Sequence, residues 1–115
     1  MYKFIFGVLL LAAMSWAQES AGNAEAGKRI YMKNGCYQCH GTVGQGTIAG
    51  ARIGPPPLSV QGVIRYVRRP AGQMPAFTEK VMSDKELTDV YAFLRSIPPP
   101  KPAKDVSLLN DLRAK

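Results

Sequence analysis

Both cysteines of the chain and its only histidine fall in one short run, Cys36-Tyr37-Gln38-Cys39-His40. On a helical turn Cys36 and Cys39 are three apart and share a face, with Cβ atoms roughly 5–6 Å apart. That spacing lets two thioether bonds form side by side to the vinyl groups of one haem. His40, next in the chain, can then offer a neutral imidazole nitrogen to the iron. Three other chemistries compete for the same residues. A thioredoxin-like dithiol needs a βαβ setting, which the sequence lacks, and makes no use of the histidine. A structural zinc site needs four Cys/His ligands and finds three. A Cys36–Cys39 disulfide closes a loop too small to stabilise much. Covalent haem c, with His40 as proximal iron ligand, is the reading that uses all three side chains.

With no second histidine, a methionine thioether is the natural distal ligand. Beyond the N-terminal leader the chain offers Met32, Met74 and Met82. Met32 lies four residues before Cys36 and is tied to the proximal side. Met82 precedes Ser83-Asp84-Lys85-Glu86, a capping box, and with Leu87 occupies the N′ and N4 positions of a hydrophobic staple. Met74, in Gln73-Met74-Pro75-Ala76-Phe77, has no such duty, and Pro75 restricts its backbone to an extended form. Met74 is therefore the expected distal ligand, Met82 the next candidate, and Phe77 a candidate haem contact. The run Gly54-Pro55-Pro56-Pro57-Leu58 lacks three backbone donors but keeps its carbonyls. The Pro55 carbonyl is the expected acceptor for the Nδ1–H of His40, a bond that would fix the tautomer and leave Nε2 for iron. The alternative is a rigid turn with no role at the iron.

The elements that must carry these residues are helical. Asn23 can cap a helix running to about Lys33, with Asn34-Gly35 as its stop. Gly27, inside it, costs about 1 kcal/mol relative to alanine, which points to another element packed closely over it. Five glycines between Gly41 and Gly54 mark a loop wrapped around a prosthetic group. No strand precedes it and no Walker-type lysine follows, so it is no phosphate cradle. Ser59 can cap a second helix ending before Pro70, with Val60, Val63, Ile64 and Val67 expected as one buried stripe. Arg65, Arg68 and Arg69 lie largely off that stripe; a solvated face is the simplest account, and docking or haem-propionate contact the alternative. A last helix runs from about Asp84 to Ile97, with Leu87, Val90, Tyr91 and Leu94 in register and Phe93 and Ile97 widening the stripe. Pro98-Pro99-Pro100-Lys101-Pro102 ends it in an extended form. Asp105–Lys115 reads equally as a short helix or a loosely ordered tail. No convincing strand or internal repeat is present.

Met1–Ala17 has a positive start at Lys3, an apolar stretch over Phe4–Met14 and a small-x-small site at Ser15-Trp16-Ala17, the pattern of a secretory signal. It is short for a transmembrane helix, which needs about 20 apolar residues. The division expected is a signal peptide over 1–17, one domain over 18–97, and a proline-rich linker and tail over 98–115. Export to the periplasm fits the motif, and no transmembrane segment remains after signal removal. The formal charge of +7 favours an acidic protein partner or an anionic surface. The basic residues form no nucleic-acid motif.

From about Ala24 to Ile97 the chain resembles a class I mono-haem cytochrome c. The resemblance rests on Gly27 and Tyr31, the Cys36–His40 motif, Gly54-Pro55 with Leu58, Met74-Pro75, and the Leu87, Val90, Phe93-Leu94 pattern. It implies an all-α fold, three to four helices wrapped around one covalently bound haem whose edge is partly exposed. It implies one-electron transfer with His40 proximal and Met74 distal, by a carrier or a small electron-accepting subunit of an oxidoreductase complex rather than by an enzyme. Related small cytochromes serve periplasmic dehydrogenases or terminal oxidases. The competing reading is a haem enzyme or gas sensor with an open distal iron site; a purely structural or assembly subunit is a third.

Overall fold

Helix α1, Ala24–Lys33, starts where the Asn23 side chain accepts from the Ala26 amide, 2.9 Å away. The computed structural model describes residues 21–114, and the Met1–Ala17 leader lies outside them. Four further helices succeed α1: α2, Cys36–His40; α3, Val60–Arg68; α4, Asp84–Arg95; and α5, Ser107–Arg113. A 3₁₀ turn over Ala103–Asp105 precedes α5. No strand occurs among the described residues, and Thr47 and Gly50 form one isolated bridge. The all-α expectation holds.

Helices α1 and α4 make the principal contact of the fold, and Gly27 is where they meet. A Cβ placed on Gly27 would collide with the Asp89 carbonyl and come within 2.8 Å of the Val90 nitrogen. The close cover expected over Gly27 is thus the backbone of α4 itself. The crossing is pinned at its edge. The Asn23 amide donates to Asp89 Oδ1 over 2.7 Å, and Lys85 Nζ lies 3.4 Å from Oδ2. Asp89 is buried, and these two partners satisfy a carboxylate that would otherwise be costly there.

Two apolar clusters flank the crossing. Tyr31, Val90, Phe93 and Leu94 form one, with Ile53, Ile97 and Cys36 packed on it. The Tyr31 and Phe93 rings sit tilted, 5.4 Å between centroids. Ile64, Met82 and Leu87 form the other, with Val60, Val67 and Phe77 against it, and Ile30 touches both. Two expectations need correction. Phe93 rather than Tyr91 fills the buried stripe of α4, because the Tyr91 hydroxyl donates to the Leu58 carbonyl and keeps that residue half-exposed. On α3 only Ile64 is fully buried.

The start of α4 matches the sequence closely. Ser83 and Glu86 form the reciprocal capping box, and the hydrogen bonds from Ser83 hold the Glu86 carboxyl below its usual range. Helix α4 stops at Arg95, two residues early, as Ser96 and Ile97 turn back onto the Phe93 and Leu94 carbonyls. The tail resolves to a helix: α5 packs only on the 3₁₀ turn among the described elements, with Leu108, Leu109 and Leu112 exposed.

Gly27→Ala is expected to cost at least about 3 kcal/mol, the upper range for overpacking, because neither partner atom is a side chain that can swing away. Denaturant unfolding of the haem-loaded protein, monitored by circular dichroism, measures it.

Candidate functional site

The motif turn is placed by its own neighbours. Gly35 takes φ +75°, a left-handed conformation open to glycine, which lets the chain reverse from α1 directly into α2. Cys36 enters the turn half-buried against the Tyr31 cluster, while Cys39 is exposed. Both are free thiols. Burial pushes the Cys36 thiol above its ordinary pKa. A dithiol redox centre needs the opposite, a stabilised thiolate, so the environment argues against that chemistry. Among the described residues no three His, Cys, Asp or Glu side chains gather around a common point.

The glycine-rich loop wraps the motif turn itself. The Gly46 amide donates to the His40 carbonyl over 2.8 Å, and Thr47 Oγ1 donates to the Cys39 carbonyl over 2.6 Å. Gly50 then passes so close that a Cβ there would sit 2.7 Å from the Cys39 carbonyl oxygen. That approach delivers the Ala51 carbonyl to His40 Nδ1, 2.7 Å away. A carbonyl only accepts, so Nδ1 carries the proton and Nε2 keeps its lone pair for a metal. The acceptor is the Ala51 carbonyl and not that of Pro55. Gly54 is drawn off to the Gly44 carbonyl (2.9 Å) and against Ile97, so the turn under His40 closes before the prolines begin. Nothing in residue type marked Ala51, since any residue supplies a backbone carbonyl; the small residue before it, Gly50, was the available hint.

The three methionines separate by environment. Met82 is 1 % exposed in the Ile64–Leu87 cluster, where its stapling role predicts it. Met32 is exposed on α1. Met74 is half-buried in the segment between α3 and α4, outside both apolar clusters. Phe77, half-buried, packs against the cluster of Ile64, Met82 and Leu87. Ile48, Leu58 and Tyr66, on segments after the motif, are exposed apolar side chains.

Two free cysteines on one turn, a histidine with one ring nitrogen committed and the other available, and an uncommitted methionine form a donor set suited to haem c. The sequence profile of the family described as cytochrome c oxidase, cbb3-type, subunit III matches residues 22–94, the whole span from before α1 to near the end of α4. The chain belongs to the c-type cytochromes. It is also similar to the cytochrome c subunit of 4-cresol dehydrogenase (hydroxylating) from Pseudomonas putida, at 34% identity over 96 residues, 83% of this chain and 78% of that protein. No solved structure gives a significant match. As a small c-type cytochrome the protein binds haem c and transfers electrons, as a carrier or subunit rather than an enzyme. No helix among the described residues is long and apolar enough to cross a membrane.

Tyr31 locks the start of the glycine-rich loop onto α1. Its ring is fully buried and its hydroxyl donates to the Gly41 carbonyl, 2.7 Å away, directly after the motif. Burial, mainly, pushes its pKa up to about 12. The neutral phenol is favoured when folded, so its stability contribution is complete below the unfolded value of about 10 and is lost as pH rises toward 12. Urea unfolding between pH 8 and 12 is expected to show an alkaline loss of about 2 kcal/mol from this group. Tyr31→Phe removes that part of the slope and costs about 1 kcal/mol at neutral pH through the lost hydrogen bond.

Proposed function

We propose that the protein is an exported, periplasmic mono-haem cytochrome, His/Met-ligated, that accepts electrons from an oxidoreductase partner. The observation that carries the ligation is the His40 Nδ1–Ala51 contact, which commits one ring nitrogen and leaves the other to iron. Cys36 and Cys39 would hold the haem through thioether bonds, His40 would be the proximal ligand and Met74 the distal one. When bound, the haem supplies a one-electron couple at its iron. The residues do the rest. The Ala51 carbonyl holds the imidazole in one tautomer and orientation, which raises its basicity as a ligand. Burial of Met82 in the core supports Met74 by removing the competing thioether.

The partner reading rests on two supports. One is similarity to a cytochrome subunit of a dehydrogenase. The other is the charge of +7, which fits an acidic docking surface. The leader over Met1–Ala17 supports export.

Optical spectra and intact mass of the protein from a host that attaches haem c test the ligation. The expected result is one haem mass added, low-spin iron and a thioether-to-iron band in the oxidised form. Met74→Ala is expected to abolish the band, let the reduced protein bind carbon monoxide, and lower the potential by a sizeable part of the ~0.8 V range that axial ligands command. Met82→Ala is expected to keep the band and lose about 2–5 kcal/mol of stability as a core truncation. Exchanged outcomes would move the ligand to Met82.

Docking is tested by kinetics. The rate of electron exchange with an acidic redox partner is expected to fall steeply as ionic strength rises from about 0.01 to 0.5 M, because the Debye length shrinks from roughly 30 Å to below 8 Å. A flat salt dependence rules out steering by these charges.

A further inference from the structure

The segment that carries Met74 leaves the end of α3 and returns to it. The Phe77 amide donates to the Val67 carbonyl over 3.1 Å, closing the segment at its base. One side chain then ties this closure to the next helix. Arg68 Nη1 donates to the Phe77 carbonyl at 2.9 Å, and Nη2 meets Asp84 Oδ1 at 2.6 Å. Arg68 sits in the last turn of α3 and Asp84 in the first turn of α4, so each charge also complements the dipole of its own helix end. The Arg68 side chain is only 21% exposed.

We propose that Arg68 is the positioning residue of the distal ligand: its fork, joining the Phe77 carbonyl to Asp84, holds the base of the Met74 segment in place between α3 and α4. The proposal rests on Met74 as distal ligand and adds what keeps it there. A thioether is a neutral, weak donor, and its hold on iron depends on a loop that does not swing away. Phe77 grips the apolar cluster with its ring and holds the Val67 carbonyl with its amide, a single backbone bond about which the segment can still pivot. Two hydrogen bonds from a rigid planar group, reaching from one helix end to the loop and to the next helix, remove that pivot. Arg68 acts through the segment that carries Met74.

The test uses haem-loaded protein and the variants Arg68→Ala, Arg68→Lys and Asp84→Asn. In the oxidised protein the thioether-to-iron band is titrated with pH and temperature, alongside far-ultraviolet circular dichroism; carbon monoxide binding is timed in the reduced protein. Arg68→Ala is expected to lose the band about one pH unit earlier than wild type and to bind carbon monoxide about tenfold faster, the scale of one charged hydrogen bond. Helix content at neutral pH is expected to stay unchanged. Arg68→Lys, which cannot serve both acceptors with a planar fork, is expected to fall between; Asp84→Asn, which keeps the Phe77 contact, is expected to show the smaller shift. Should Arg68→Ala fail to take up haem, these two milder variants decide alone. An unchanged band midpoint with carbon monoxide rates within about twofold of wild type overturns the proposal. So does loss of band and helix signal together, which would mark a purely structural role. Absence of the band in wild type overturns the Met74 ligation itself, and this proposal with it.

Discussion

The fold turns on a backbone-to-backbone approach. Helices α1 and α4 cross where Gly27 lies against the Asp89 carbonyl and the Val90 amide, closer than any side chain would permit. Everything that places the motif is referred to that crossing. Tyr31, one turn after Gly27, enters the core beside Phe93 and reaches with its hydroxyl to the Gly41 carbonyl, so the peptide after His40 takes its position from α1. The crossing also explains a buried carboxylate. Asp89 stands where the first amide ahead of α1 needs an acceptor, and it acts as a clasp between the two helices rather than as a functional acid.

From that frame the two sides of the site are built by different means. The Cys36–His40 turn is held mainly by backbone: a glycine-rich loop folds back over Cys39 and His40, and its carbonyls and amides, with the Thr47 hydroxyl, do the holding. The segment that carries Met74 has one backbone bond, from Phe77 to Val67, and is otherwise held by side chains: Phe77 and Met82 in the apolar cluster, and Arg68 across two helix ends. A carbonyl partner gives His40 one tautomer irrespective of which residue supplies it. The Met74 segment, by contrast, depends on residue identity at the Phe77 ring and at Arg68.

That difference decides what could be read from the sequence. The caps at Asn23, Ser59 and Ser83, the close cover over Gly27, the staple of Met82 and Leu87 and the Cys36–His40 motif all carry local signals, and the structure agrees with each of these local features. Ala51 carried none, because its contribution is a carbonyl every residue has; proline stiffness pointed to Pro55 instead. Asp89 reads as a solvent position until its partner, 66 residues away, is known. Tyr91 fits the apolar register as well as Phe93, and only the Leu58 carbonyl separates them. Long-range pairings, not helix propensity, are what the sequence concealed.

The Asn23–Asp89 clasp joins residues 66 positions apart, near the two ends of the helical body. Closing so long a stretch carries an entropic cost of roughly 4 kcal/mol by the logarithmic chain estimate. Little of that is returned until α4 is present to receive α1. The body is therefore a closed ring of chain in topological terms: cutting it short anywhere before Arg95 removes the seat of the first helix as well as the last. A linker joining the ends across this clasp, with new termini opened in a surface loop, would preserve the ring, whereas a truncated half has no partner surface on which to fold.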